Sequence, residues 1–451
     1  MHAAPVRSEA ETGAGWPSPL RGWLVVLLLS FASVVSQFDR TVINLTVAPI
    51  KGRFGLDDTH FFLLQGVAFG LFYVIACVPL GRLSDRYERR LVLGWTLGLF
   101  SLFSMGSGFA ATYAQLMITR IGVGVGEASL TPAGYSLLSD HFPPSRLGRP
   151  IGAFMMSSPI GQGLAFILGG SLIQWLTTSS FLESGLLAGF APWQAAFIIV
   201  GAPGLLLVPF FFLMREPARR GPGATEPLPI REVVAIVRVR GRALVPMFAG
   251  FAMIPLVTYA FFIWTPALFQ RSYGWTPAEV GMGFGLIMLI FGTGGAYFGG
   301  WMTDMMARRG HLDAPLIVAA FCFVGCGLFA ATAPLMPNAT AALVLLVPAT
   351  FLSTSPYAGA ATSIQLIVPN RARAQVNALY ITLTTLVGLT IGPVVVGLMT
   401  DHLFRDPADL RYALAIVVGF PPPILFAMMM VARRPYRALR EGALQSGMQG
   451  D

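Results

Sequence analysis

Apolar residues occur in long blocks along this chain, separated by short stretches rich in arginine, proline or glycine. A helix needs about 20 apolar residues to cross the hydrocarbon core of a bilayer, and the blocks reach that length twelve times. Predicted spans lie at 22–49, 60–81, 91–111, 114–139, 149–176 and 193–214, then at 244–269, 277–303, 314–334, 339–367, 372–400 and 411–432. The pattern predicts an all-α integral membrane protein of 12 transmembrane helices in two six-helix bundles. Its expected parts are a tail (1–21), a first bundle (22–214), a hydrophilic linker (215–243), a second bundle (244–432) and a C-terminal tail (433–451). The linker opens with a flexible REPARRGPGATEP run. It then mixes Val and Ile with Arg231, Arg238, Arg240 and Arg242, a pattern suited to a basic helix lying on a membrane surface.

Composition agrees. Only 11% of the 451 residues are charged, against about 25% in soluble domains, so most of the surface is expected to face lipid. The formal net charge of +9 could point to a nucleic-acid partner, but its placement argues against one. With the N-terminus inside, 23 of the 30 Lys and Arg fall on inner segments, and only Lys51, Arg53, Arg271, Arg405 and Arg411 fall outside. That asymmetry is the positive-inside signature. It predicts cytoplasmic termini in a multi-pass protein of the cell membrane, with membrane lipids rather than nucleic acid as partners. The preference for arginine over lysine suggests a bacterial cytoplasmic membrane.

The two halves echo each other. Gly81-Arg-Leu-Ser-Asp85 closes the second span and Gly300-Trp-Met-Thr-Asp304 the eighth, each followed by paired arginines; Pro144-Ser-Arg146 is answered by Pro369-Asn-Arg371. Same-orientation repeats of six helices build two-bundle transporters, with substrate held between the bundles. The run GRLSDRYERR resembles the loop signature of the major facilitator superfamily, with Glu88 where that signature usually has glycine. The resemblance implies the major facilitator fold, acting as a monomer by alternating access. It also implies a cytoplasmic gate motif at Gly81, Asp85, Arg86, Arg89 and Arg90, with a weaker copy at Gly300 and Asp304. Within the superfamily, Phe38-Asp39-Arg40 in span one and RIGVGVGEAS in span four (Arg120 to Ser129) resemble the spinster-like lipid transporters. Organic anion/proton symporters of the same superfamily share the Asp-Arg pair, and Glu127 with the later Pro132 also matches them.

Charges within a span cost at least about 2.5–3.5 kcal/mol each on insertion scales, so they persist mainly where they pair or line water. Four stand out, all in the first half: Asp39, Arg40, Arg120 and Glu127. At the helical rise, Asp39 and Glu127 lie roughly 16 and 20 Å below the outer ends of their spans, near one depth. Asp39 and Glu127 are the expected proton-coupling carboxylates. Burial favours a neutral carboxyl and a nearby guanidinium favours its anion, so Arg40 and Arg120 would set the balance or meet an anionic headgroup. A permanent ion pair between spans one and four is the simpler alternative. The second half carries no mid-span charge, and its candidate cavity residues are Tyr259, Trp264, Tyr357, Gln365, Asn377 and Tyr380. A charged half facing an aromatic one suits a small amphipathic substrate of the lysophospholipid or sphingolipid class.

Other classes fit poorly. A P-loop pump needs a lysine at the phosphates, and the only lysine, Lys51, lies beyond the first span. His2, His60, His141, His311 and His402 all sit at or beyond span ends, which argues against an intramembrane histidine enzyme. Cys322 and Cys326 have helical spacing but no further ligand nearby, and with Cys77 they read as buried apolar residues. No metal or cofactor is expected. Gly122, Gly124 and Gly126 follow no strand and read as close-packing positions rather than a dinucleotide loop.

Overall fold

The computed structural model describes residues 16–143, 146–219 and 230–445. Arg220–Pro229 of the linker and Pro144 of the repeated loop motif lie outside the described residues.

Twelve helical spans run back and forth. The first bundle comprises α1 (Pro19–Leu45), α2 (Asp58–Arg86), α3 (Arg89–Gly108), α4 (Tyr113–Glu127 and Leu130–His141), α5 (Gly148–Thr178) and α6 (Pro192–Leu213). The second comprises α7 (Gly241–Tyr273), α8 (Pro277–Arg308), α9 (Ala314–Leu335), α10 (Ala339–Thr354 and Pro356–Ile367), α11 (Gln375–Phe404) and α12 (Pro407–Gly442). Among the described residues there is no strand, and ten helices are long and apolar enough to cross a membrane unbroken. The other two spans are α4 and α10, the fourth of each half, and both break midway. The break in α4 falls directly after Glu127 and that in α10 at Ser355.

Local chemistry sets the helix starts. Proline occupies the first turn of α1, α6, α8 and α9, where its missing N–H costs nothing. Thr112–Gln115 and Thr276–Glu279 form capping boxes on α4 and α8, and Asn338 caps α10. Several helices overrun the predicted spans: α2 reaches Arg86, α8 Arg308 and α12 Gly442. Hydropathy marks where lipid ends, whereas a helix ends where its backbone bonds lose partners, and these basic turns stay helical beyond the apolar zone.

The bundles meet towards the face opposite the termini, here the far face. There the ring centroids of Phe62 (α2) and Trp264 (α7) lie 3.8 Å apart. A Cβ on Gly66 of α2 would sit 3.1 Å from the Leu389 carbonyl oxygen of α11. Gly163 and Gly170 of α5 pack against Gly285 and Gly281 of α8. The linker helix, Ile230–Val239, lays Val233, Ile236 and Val237 against the second bundle and leaves Arg231 and Arg238 exposed.

On the face bearing the termini, each half carries a bracket between its third and sixth helices. Arg89 at the start of α3 is buried and joins both Asp140 of α4 and Glu216 just past α6. In the second half Asp313, ahead of α9, pairs with Arg433 of α12.

Candidate functional site

The site begins with three glycines. A Cβ on Gly124 would lie 2.5 Å from the Phe69 carbonyl oxygen of α2, and one on Gly126 2.5 Å from the Phe100 amide nitrogen of α3; Gly122 abuts the Phe103 ring. Glycine at these positions lets α4 approach α2 and α3 at backbone distance, which delivers the next residue, Glu127, to the bundle interior.

The structure sorts the four intramembrane charges into two pairs. Asp39 and Arg120 form the deeper one, with side chains only 1% and 3% exposed. Arg120 donates from Nη1 to Asp39 Oδ2 at 2.8 Å and from Nη2 to Oδ1 at 3.2 Å. Ser104 of α3 donates to the same carboxylate at 2.5 Å, Arg120 also reaches Ser107 at 2.7 Å, and its guanidinium lies over Phe197 of α6. This pair ties α1, α3, α4 and α6 together.

Arg40 and Glu127 form the second pair, with side chains 20% and 9% exposed. Arg40 donates from Nη2 to Oε1 at 2.6 Å and from Nε to Oε2 at 3.1 Å, and Ser36 donates to Oε1 as well. The Arg40 guanidinium stands 4.5 Å from the Phe69 ring centroid and 5.6 Å from that of Tyr73, within range of attraction by both π faces. Tyr259 of α7 is close enough to interact electrostatically with both Arg40 and Tyr357 of α10. The arrangement is a bidentate guanidinium–carboxylate pair walled by aromatic rings from both bundles. It can bind an anion wherever the carboxylate yields its place.

The remaining candidates divide. Tyr259 joins the site, whereas Tyr357 is exposed (39%) and reaches it only by way of Tyr259. Trp264 does not: it is fully buried, donates from Nε1 to the Pro393 carbonyl at 2.9 Å and packs at a tilt against Phe62, so it plugs the far face. Tyr380 is buried against Phe248 and Phe251 within the second bundle. Asn377 is half-buried on α11, its Oδ1 without a hydrogen-bond partner among the described residues. The Gln365 side chain lies outside the described residues. Ser36, Phe69 and Tyr73 also belong to the site; their signal in the sequence is helical phase, since Ser36 and Tyr73 stand one turn from Arg40 and Phe69.

In the gate motif, Asp85 and Arg86 are exposed, while Arg90 bonds Glu88 at 2.7 Å, the residue standing where the signature has glycine, and the carbonyls of Phe212 and Met214. Arg219 of the linker donates to the carbonyls of Ser84, Asp85 and Tyr87, closing the end of α2. Gly81 has open space where a Cβ would stand. In the second copy Asp304, Arg308 and Arg309 are exposed, and Gly300 is half-buried.

The model of one protein family, described as the Major Facilitator Superfamily, matches residues 29–393. The chain belongs to that superfamily. It is therefore a transporter rather than an enzyme, and it resembles spinster proteins within the superfamily. Human protein spinster homolog 1 is 27% identical over 86% of this facilitator and 75% of its own length. An MFS-type efflux pump of Mycolicibacterium smegmatis is 27% identical over 90% of both chains, and a probable L-galactonate transporter of Escherichia coli 28% identical over 84% of both. Among solved structures, a bacterial homologue of the human lysosomal transporter spinster, inward-facing and unoccupied, superposes with a TM-score of 0.75 at 23% identity. That match covers 95% of this chain and 99% of the other.

Proposed function

We propose that this facilitator moves an amphipathic lipid-like molecule with an anionic head, of the lysophospholipid or sphingolipid class, in a proton-coupled cycle. The face carrying the termini is read as cytoplasmic, in keeping with the arginine distribution. The observation that carries the reading is the partly exposed Arg40–Glu127 pair walled by Phe69, Tyr73 and Tyr259. While Glu127 is ionised it occupies the guanidinium. A proton on Glu127 removes the charge that holds the pair, and Arg40 then takes a phosphate or carboxylate in the same bidentate manner. The aromatic walls offer an apolar tail a surface next to the charged site, and the second bundle supplies tyrosines rather than a second charge. Asp39, also expected in proton coupling, serves in this reading to hold the helices that position Arg40.

A sugar-acid anion is the second reading. It is favoured by the same guanidinium, which accepts any carboxylate, and by the likeness to a probable L-galactonate transporter.

The test is uptake into liposomes under an imposed pH gradient, comparing a labelled lysophospholipid with galactonate. Lipid movement whose pH dependence vanishes in Glu127→Gln supports the first reading. Movement of galactonate alone supports the second. If Glu127→Gln keeps the wild-type pH profile with either substrate, Glu127 has no coupling role.

A further inference from the structure

A second cluster of charges sits at the far face, apart from the central site. Asp58, at the start of α2, is completely buried and lies between two cations. Lys51 belongs to the short helix Val47–Phe54 of its own half. Arg271 comes from the last turn of α7 in the other half and grips the carboxylate with two bonds of 2.7 Å. From α11 of that same half, Asp401 reaches back to the first turn of α2. It accepts the backbone N–H of Asp58 at 3.2 Å, and both the N–H and the hydroxyl of Thr59 at 2.6 Å. A carboxylate there also meets the positive end of the α2 dipole.

We propose that Asp58, Lys51, Arg271 and Asp401 form an exchange latch, and that these positioning residues set which face of the transporter is closed. Each half contributes one cation and one anion. With the far face shut, Asp58 keeps Lys51 of its own half, while Arg271 and Asp401 bond across the halves. When the halves part there, Asp58 leaves with Lys51 and Arg271 leaves with Asp401, so neither bundle carries away an unbalanced charge. A single cross-bundle ion pair would strand one charge on each side. The four-membered arrangement holds the far face closed while letting it open without that penalty, whichever substrate is carried.

The roles of the two cations differ in sign, which gives the test. Arg271 acts on the closed state, whereas Lys51 is the only partner Asp58 keeps once the face opens. Spin labels at Arg53→Cys and Ala408→Cys, in full-length reconstituted protein with Cys77, Cys322 and Cys326 changed to serine, report the distance across the far face by pulsed electron resonance. Asp58→Asn and Arg271→Gln are each expected to raise the ratio of long to short distances about tenfold, as loss of a charge-assisted bidentate contact implies. Lys51→Gln is expected to lower the ratio. Asp57→Asn, whose carboxylate bonds His60 within its own half, leaves it unchanged. Should Asp58→Asn fail to fold, Arg271→Gln carries the test alone, its side chain being partly exposed. The latch is overturned if Arg271→Gln leaves the ratio within twofold of wild type, if Lys51→Gln moves it upwards, or if Asp57→Asn shifts it equally.

Discussion

Asp39 and Arg40 are neighbours in the chain, yet Asp39 bonds the buried Arg120 while Arg40, itself partly exposed, bonds Glu127. Consecutive residues on a helix point about 100° apart, so one turn of α1 serves two purposes. One side of it knits the first bundle, and the other reaches the space between the bundles.

Removing one partner of the deeper pair therefore strands a buried charge. Asp39→Asn or Arg120→Leu is expected to lower stability by about 3–5 kcal/mol, read as a fall in the thermal unfolding temperature of purified protein. Arg120→Lys should recover only part of that loss, because an ammonium cannot make the two-point contact with Asp39 and also reach Ser107.

The more accessible Arg40–Glu127 pair should behave in the opposite way. Glu127→Gln and Arg40→Lys are expected to keep the unfolding temperature within a few degrees of wild type. Arg40→Lys should weaken binding of an anionic substrate at least about tenfold, since a point charge replaces the planar fork. Equilibrium binding to detergent-solubilised protein measures this, and unchanged affinity would remove Arg40 from the substrate site.

Gly124→Ala places a methyl group against the Phe69 carbonyl, which belongs to a backbone that cannot swing aside. A loss of about 1–3 kcal/mol is expected, together with weakened binding as α2 moves away from Arg40. Gly81→Ala meets nothing within 4 Å and should leave stability unchanged. Thermal unfolding of the two variants side by side checks the contrast.

Trp264→Ala should cost stability, about 3–5 kcal/mol for an emptied aromatic site, rather than substrate affinity. Trp264→Phe keeps the ring contact with Phe62 but loses the bond to Pro393, and an intermediate unfolding temperature is expected.

Much of this was legible in the sequence. Twelve apolar blocks announced twelve spans, because the bilayer imposes one length on every crossing helix. The four mid-span charges announced themselves by their cost. Which charge pairs with which did not follow, since depth along two helices says nothing about their mutual rotation; the sequence set Asp39 and Glu127 near one depth without assigning their arginines, and the structure gives each its own. Trp264 is an aromatic on a cavity-bearing helix, and only packing distinguishes a plug from a binding wall. Asp58 and Asp401 lie near span ends, where a carboxylate reads as solvated, and their meeting joins segments more than 300 residues apart. The breaks in α4 and α10 were not expected either: each falls in a short polar stretch, Glu127–Ser129 and Ser353–Ser355, which hydropathy averaged over a whole span does not register.

The brackets on the terminal face have opposite polarity: arginine on α3 faces glutamate beyond α6, while aspartate before α9 faces arginine on α12. A newly made chain contains two similar bundles, each needing the correct sixth helix to complete it. Were α12 to close the first bundle by mistake, Arg433 would meet Arg89; were α6 to close the second, Glu216 would meet Asp313. Like charges brought together at a membrane boundary repel, so the reversed polarity disfavours the exchanged pairing and favours each bundle's own sixth helix.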